Sequence, residues 1–117
     1  MKNIKEEMER SMLKSKIKIC FNHEREDKGD FYYCSAVRSL TFKFTDNEYY
    51  LGFIQNTKNI DKYILYQEYL VEAMFPSIEA PLFSEYQKKF EAENEFPICL
   101  GKTIIGKGVF QEWEFEE

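Results

Sequence analysis

Gly101-Lys102-Thr103 is the stretch of this chain that most invites a chemical reading, as a phosphate loop, but its surroundings do not support one. A phosphate loop needs a glycine five residues before the Gly-Lys-Thr, so that consecutive backbone amides can surround the anion. Phe96 stands there instead, and Pro97 removes a further amide donor. The β-branched run Thr103-Ile104-Ile105 predicts a strand after the turn, so no helix N-terminus faces an anion. A zinc site fares no better. The single histidine, His23, lies three residues after Cys20 and eleven before Cys34, a spacing of no structural zinc class and without a fourth ligand. His23 is expected to be a solvated loop residue. A Cys-His nucleophile pair would need a base within hydrogen-bond reach and a third group to orient it. Cys34 follows Phe31-Tyr32-Tyr33 in a strand pattern and is expected in the core, hence unreactive. Carboxylate pairs such as Glu91 and Glu93 fit a solvated face. The expectation is therefore no catalytic residue, no metal and no cofactor: a protein that is not an enzyme.

Two groups of side chains are placed to bind. The first is the tail Gln111-Glu112-Trp113-Glu114-Phe115-Glu116-Glu117. Strand alternation sets Trp113 and Phe115 on one face and Glu112, Glu114 and Glu116 on the other. Trp113 then either closes a core, with the glutamates in water, or anchors a partner beside an acidic strip. The second group is the tyrosines, of which Tyr32-Tyr33 and Tyr49-Tyr50 are adjacent pairs in strand patterns. One of each pair must face outward, and exposed tyrosine suits recognition of a protein or of stacked bases. The candidate partner-binding residues are Glu112, Trp113, Glu114, Glu116, Tyr49, Tyr50 and Tyr33.

The elements that would carry these residues are mostly strands. Ile17, Ile19 and Phe21 alternate with Lys16, Lys18 and Cys20, and Leu40, Phe42 and Phe44 alternate with Thr41, Lys43 and Thr45. Phe31 to Val37 reads as another strand. Asp46-Asn47 is turn chemistry, with Tyr49 to Ile54 returning as the hairpin partner. Tyr63 to Phe75 keeps one parity until Gln67-Glu68, which predicts two strands or one with a bulge. Ile4, Met8 and Met12 are four apart, predicting a short amphipathic helix or a fraying tail over residues 1–15. Leu82, Phe83, Tyr86 and Phe90 fit a helix near residues 82–92, and whether the segment is helical stays open at this point. Phe96 to Leu100 and Thr103 to Phe110 form a hairpin about Gly101-Lys102. Gly106 and Gly108 interrupt its second strand, which predicts a bend where a neighbouring backbone packs too close for a Cβ.

With 117 residues the chain is one domain, residues 16–117, behind the N-terminal helix or tail. The fold class is mainly β: a small antiparallel barrel of six or seven strands, since closure removes exposed edges. Formal charge is −5, unevenly spread. Residues 1–45 hold ten Lys or Arg against seven Asp or Glu, a net of +3, and residues 46–117 hold six against fourteen, a net of −8. That balance disfavours nucleic acid, which needs clustered cations, and suits a basic protein partner. Three cysteines, Cys20, Cys34 and Cys99, without a CxxC pair point to a reducing compartment. The Glu6, Glu7 and Glu9 charges exclude a signal peptide, and no apolar run is long enough to span a membrane. The expected location is the cytoplasm.

Gly101, Thr103, Gly106, Gly108 and Val109 resemble the Gly-x-Thr-Val-Gly-x-Gly-Val-Val pattern that closes the third, C-terminal β-barrel domain of elongation factor Tu, with one extra β-branched residue before Gly106. Leu40 to Thr45 is similar to that domain's Phe-x-Phe-x-Thr strand, and Leu70 to Ile78 to its apolar-Pro-apolar corner. The resemblance is chiefly over residues 96–110. It implies a free-standing barrel without a GTPase domain, of a kind whose relatives bind tRNA and protein partners. The family's binding residues do not carry over. Composition points elsewhere: small, acidic, aromatic-rich and without catalytic groups is the profile of a bacterial immunity protein or toxin inhibitor that covers a basic, nuclease-type toxin. The alternative is the translation-factor-like barrel that binds tRNA or an elongation-factor partner.

Overall fold

The computed structural model describes residues 12–24, 29–55, 59–78, 83, 84 and 86–116. Among the described residues eight strands form: β1 (Met12–Phe21), β2 (Phe31–Tyr33), β3 (Ser39–Thr45), β4 (Glu48–Gln55), β5 (Lys62–Ile64), β6 (Glu68–Phe75), β7 (Phe96–Leu100) and β8 (Thr103–Glu116). A short helix, α1 (Gln87–Glu91), precedes β7. Six strands close an antiparallel barrel in the order β1-β6-β4-β3-β7-β8, with β8 returning to β1. β2 and β5 pair separately as a two-stranded ribbon.

Period-two patterning accounts for the barrel. In β1 the parity Leu13, Ile17, Ile19 and Phe21 is fully buried, and Ser15 fills the remaining inward position. Its hydroxyl donates to the Ala73 carbonyl at 3.2 Å, which satisfies the one buried polar side chain of that face. The strand therefore starts at Met12, four residues before the sequence boundary at 16, because Leu13 and Ser15 extend the inward parity. The helix or tail predicted over residues 1–15 thus gives way to strand from Met12, and residues 1–11 lie outside those described.

Each end of the barrel has its own plug. Phe21 sits 5.4 Å from both Tyr32 and Tyr63, so the ribbon's inward tyrosines cover the end where β1 finishes. At the opposite end Phe83 and Phe90 pack on Trp113, and Phe83 also meets Phe115. The stretch predicted as a strand from Phe31 to Val37 stops at Tyr33 and continues as a 3-10 turn over Cys34–Ala36. Ser35 and Ala36 are exposed, so no apolar alternation extends the strand. Tyr63 to Phe75 divides into β5 and β6 at Tyr66, whose φ of 66° turns the chain in the left-handed region.

Candidate functional site

Strand registers place the outward side chains of β8, β1, β6 and β4 in rows across one wall. One row runs Glu114, Lys14, Met74, Phe53, and the next runs Glu112, Lys16, Glu72, Gln55. The basic first segment thus lies between the acidic residues of the last strand. Lys16 Nζ is 3.5 Å from Glu112 Oε2, and Lys18 Nζ is 3.9 Å from Glu68. Both pairs are exposed, so each is worth at most about 1 kcal/mol. No ion pair to Glu72 or Glu114 forms among the described residues. Between the rows lies a groove of about 310 Å³, floored by the small residues Ser15 and Ala73 and bounded by Glu72, Met74, Glu112 and Trp113.

Beside the groove, β4 turns three successive outward positions to solvent: Tyr49, Leu51 and Phe53, which are 51%, 41% and 43% exposed. Phe53 adjoins Met74 of β6. Lys43, opposite Tyr49 in the β3–β4 register, holds its ammonium 5.8 Å from that ring.

The sequence candidates do not converge on one site. Glu112 and Glu114 are exposed on β8 as alternation predicts, but Lys14 and Lys16 interleave them, so the acidic strip is not a field of one sign. The side chain of Glu116 lies outside the described residues. Trp113 is half-buried, 5.6 Å from the Phe90 ring, and closes the core. Tyr49 and Tyr33 face outward. Tyr50 faces inward and is half-buried, and its hydroxyl is engaged at the barrel end by Glu48 and Tyr86. Cys34, expected in the core, is half-buried in the 3-10 turn, and burial raises its thiol pKa. His23 is exposed, and its carbonyl accepts a hydrogen bond from the Tyr32 hydroxyl at 2.9 Å. Among the described residues no three His, Cys, Asp or Glu side chains group to hold a metal ion, and no helix is long and apolar enough to cross a membrane. Lys102 is exposed in a tight turn where Gly101 takes a φ of 62°, and β8 follows directly.

A second polar cluster lies at the end of the barrel that carries α1. The Glu48 carboxylate accepts from Thr45 Oγ1 at 3.1 Å, from the Tyr50 hydroxyl at 3.4 Å and from the Tyr86 hydroxyl. The two tyrosine oxygens are 3.1 Å apart. Lys89 Nζ donates to the Phe44 carbonyl at 3.4 Å, tying α1 to β3. The Tyr86 hydrogen bond, aided by those of Thr45 and Tyr50, holds the Glu48 carboxyl below the usual glutamate range. Burial, then the hydrogen bond to Glu48, pushes the Tyr86 phenol up. Every member is already paired, so the cluster works as a structural latch between β4 and the segment carrying α1. A depressed carboxyl stabilises the fold at pH above its unfolded value of about 4.3 and loses that contribution as pH falls through its lower folded value. The thermal midpoint of the wild type is expected to fall more steeply below about pH 4.3 than that of Glu48→Gln, whose amide does not titrate there. Parallel curves from pH 7 to 2.5 would refute the latch.

Compared with family models, curated proteins and solved structures, the chain finds no match.

Proposed function

We propose that this chain is a non-enzymatic binding module that neutralises a basic, nuclease-type protein in the cytoplasm by covering it, in the manner of an immunity protein. The observation that carries this reading is the outward row Tyr49, Leu51, Phe53 on β4. A closed barrel needs apolar residues on the inner parity only, and the outer parity of β1 is accordingly lysine-rich. Nothing in the folding of β4 requires three large apolar side chains in a line outside, and contiguous exposed apolar surface marks interaction sites. Aromatic anchors beside a polar groove are the composition of an interface core with its rim. Glu72 and Glu114, without an ion pair among the described residues, favour a cationic partner over an anionic one.

The test uses the full chain as bait in native lysate, with Leu51→Glu/Phe53→Glu as comparison. The wild type is expected to retain a basic protein and to suppress its nuclease activity. The double variant, folded as judged by an unchanged melting curve, should bind it at least ~30-fold more weakly, equivalent to about 2 kcal/mol. Glu112→Gln with Glu114→Gln should slow association at low salt and leave dissociation nearly unchanged. Undiminished binding by the β4 variant would reject this surface. Retention of tRNA, strengthened by the glutamate changes, would instead favour the translation-factor reading implied by the closing hairpin.

A further inference from the structure

We propose that the outward face of the β2–β5 ribbon is a cation-accepting subsite shaped for an arginine side chain of the partner, and that Lys62 occupies it in the free chain; this rests on the partner being basic, as inferred above. Two strands of three residues each are too little to hold themselves together, so the ribbon's rigidity must come from its inward side. Tyr32 and Tyr63 supply it by packing on Phe21. Four hydrogen bonds fix it further, two that extend the ladder between its own strands and two that reach β1 and β6. The Cys34 amide donates to the Asp61 carbonyl at 2.9 Å and the Leu65 amide to the Asp30 carbonyl at 2.8 Å. The Tyr66 amide donates to the Phe21 carbonyl at 2.8 Å, and the Ile64 amide to the Tyr69 hydroxyl at 2.9 Å.

All of that uses the inward parity and the backbone. The outward parity is Phe31, Tyr33, Ile64 and Lys62, and three of its four members are large and apolar or aromatic. Tyr33 is 54% exposed and Ile64 37%. Phe31 and Tyr33 stand edge to face, centroids 5.0 Å apart at 85°. Lys62, the register partner of Tyr33, reaches back to place its ammonium 4.6 Å from the Phe31 centroid. A cation at that distance over a ring is held by the negative face of the π-system. The chain's own lysine therefore reports what the face attracts. Asp30 and Asp61 are exposed and flank the ribbon at its opposite ends. Guanidinium stacks on aromatic faces better than ammonium and is more weakly hydrated, so an incoming arginine can displace Lys62. Because the ribbon is already fixed, little ordering accompanies that exchange.

A titration with capped hexa-arginine peptide, followed through the aromatic resonances of the intact protein, tests this. The Phe31 and Tyr33 rings are expected to shift saturably, with hexa-lysine weaker. Lys62→Gln should bind the arginine peptide roughly threefold more tightly, since the Lys62 ammonium no longer competes for the Phe31 ring. Lys88→Gln, the same charge change on α1, should leave affinity within about 1.5-fold of the wild type. Rings that stay still while the peptide binds elsewhere would overturn the proposal. So would a folded Phe31→Leu/Tyr33→Leu variant that binds like the wild type, or rings that move with oligothymidylate and not with arginine. The peptide needs no native partner, so failure here is separable from failure to find a basic protein in lysate.

Discussion

Phe110→Ala is expected to destabilise the protein by about 3–5 kcal/mol, the range for truncating a fully buried Phe. Phe110 is 1% exposed and lies at the centre of the aromatic core. Its ring stacks on Phe90 at 3.9 Å and 11°, and its centroid is 6.3 Å or less from those of Phe42, Phe44, Phe75 and Phe96. Those rings come from β3, β6, β7 and the α1 segment, so one truncation opens a void against four elements at once. Such a void cannot collapse easily, because the ring neighbours are themselves pinned by further edge-to-face contacts. Against a total stability of roughly 5–15 kcal/mol, the loss leaves the domain marginal or unfolded. Phe53→Ala, at an exposed position of β4, should change stability by no more than about 0.5 kcal/mol. Urea unfolding of the two variants beside the parent decides the matter. Equal midpoints for Phe110→Ala and Phe53→Ala would contradict the inward and outward assignment of both strands.

Alternation made much of this fold legible in the chain. Ile17 to Phe21 and Leu40 to Phe44 each show one buried parity, and both became barrel strands. Thr103 to Phe110 became one too, but an irregularity at Ile105 switches its parity, so that Ile105 is buried beside Gly106, Gly108 and Phe110. The Asp46-Asn47 and Gly101-Lys102 turns fell where side-chain chemistry placed them. What stayed hidden depends on register between segments distant in sequence. Lys14 and Lys16 stand among Glu72, Glu112 and Glu114 only because β1 pairs with both β6 and β8. Charge counted along the chain, +3 and then −8, could not show that the two halves interleave on one wall. Glu48 and Tyr86 meet across 38 residues, and neither is unusual in its local context. The ribbon is concealed differently: three-residue strands carry too short a pattern to separate from a longer one, and the aromatic run at Phe31 predicts a strand to Val37 where β2 ends at Tyr33. The Tyr49-or-Tyr50 ambiguity was real too. It resolved when the turn at Asp46-Asn47 set the parity of β4, sending Tyr49 out and Tyr50 in.

Gly106→Ala is the second change expected to cost about 3 kcal/mol, the upper part of the overpacking range, and Gly106→Val should exceed it. β1 and β8 are the first and last strands, and their pairing is the seam that closes the cylinder. At that seam a Cβ on Gly106 would lie 2.5 Å from the Cys20 carbonyl oxygen and 3.1 Å from the Phe21 Cα. Both obstacles are backbone, so relief requires β1 to move away from β8 and lose ladder hydrogen bonds. Gly108, two residues on, reads the same in the sequence but is not equivalent. A Cβ there would meet Ile17 Cγ2 at 3.0 Å and Ile98 Cδ1 at 3.3 Å, both side-chain atoms that can shift. Glycine inside a strand itself costs about 0.5–1 kcal/mol relative to alanine, which offsets part of that crowding. Gly108→Ala should therefore fall within about 1 kcal/mol of the parent, while Gly106→Ala does not. Thermal melts of the two alanine variants separate backbone contact from side-chain contact directly. Two equal melting temperatures would mean that β1 and β8 do not approach as closely at Gly106 as a closed barrel demands.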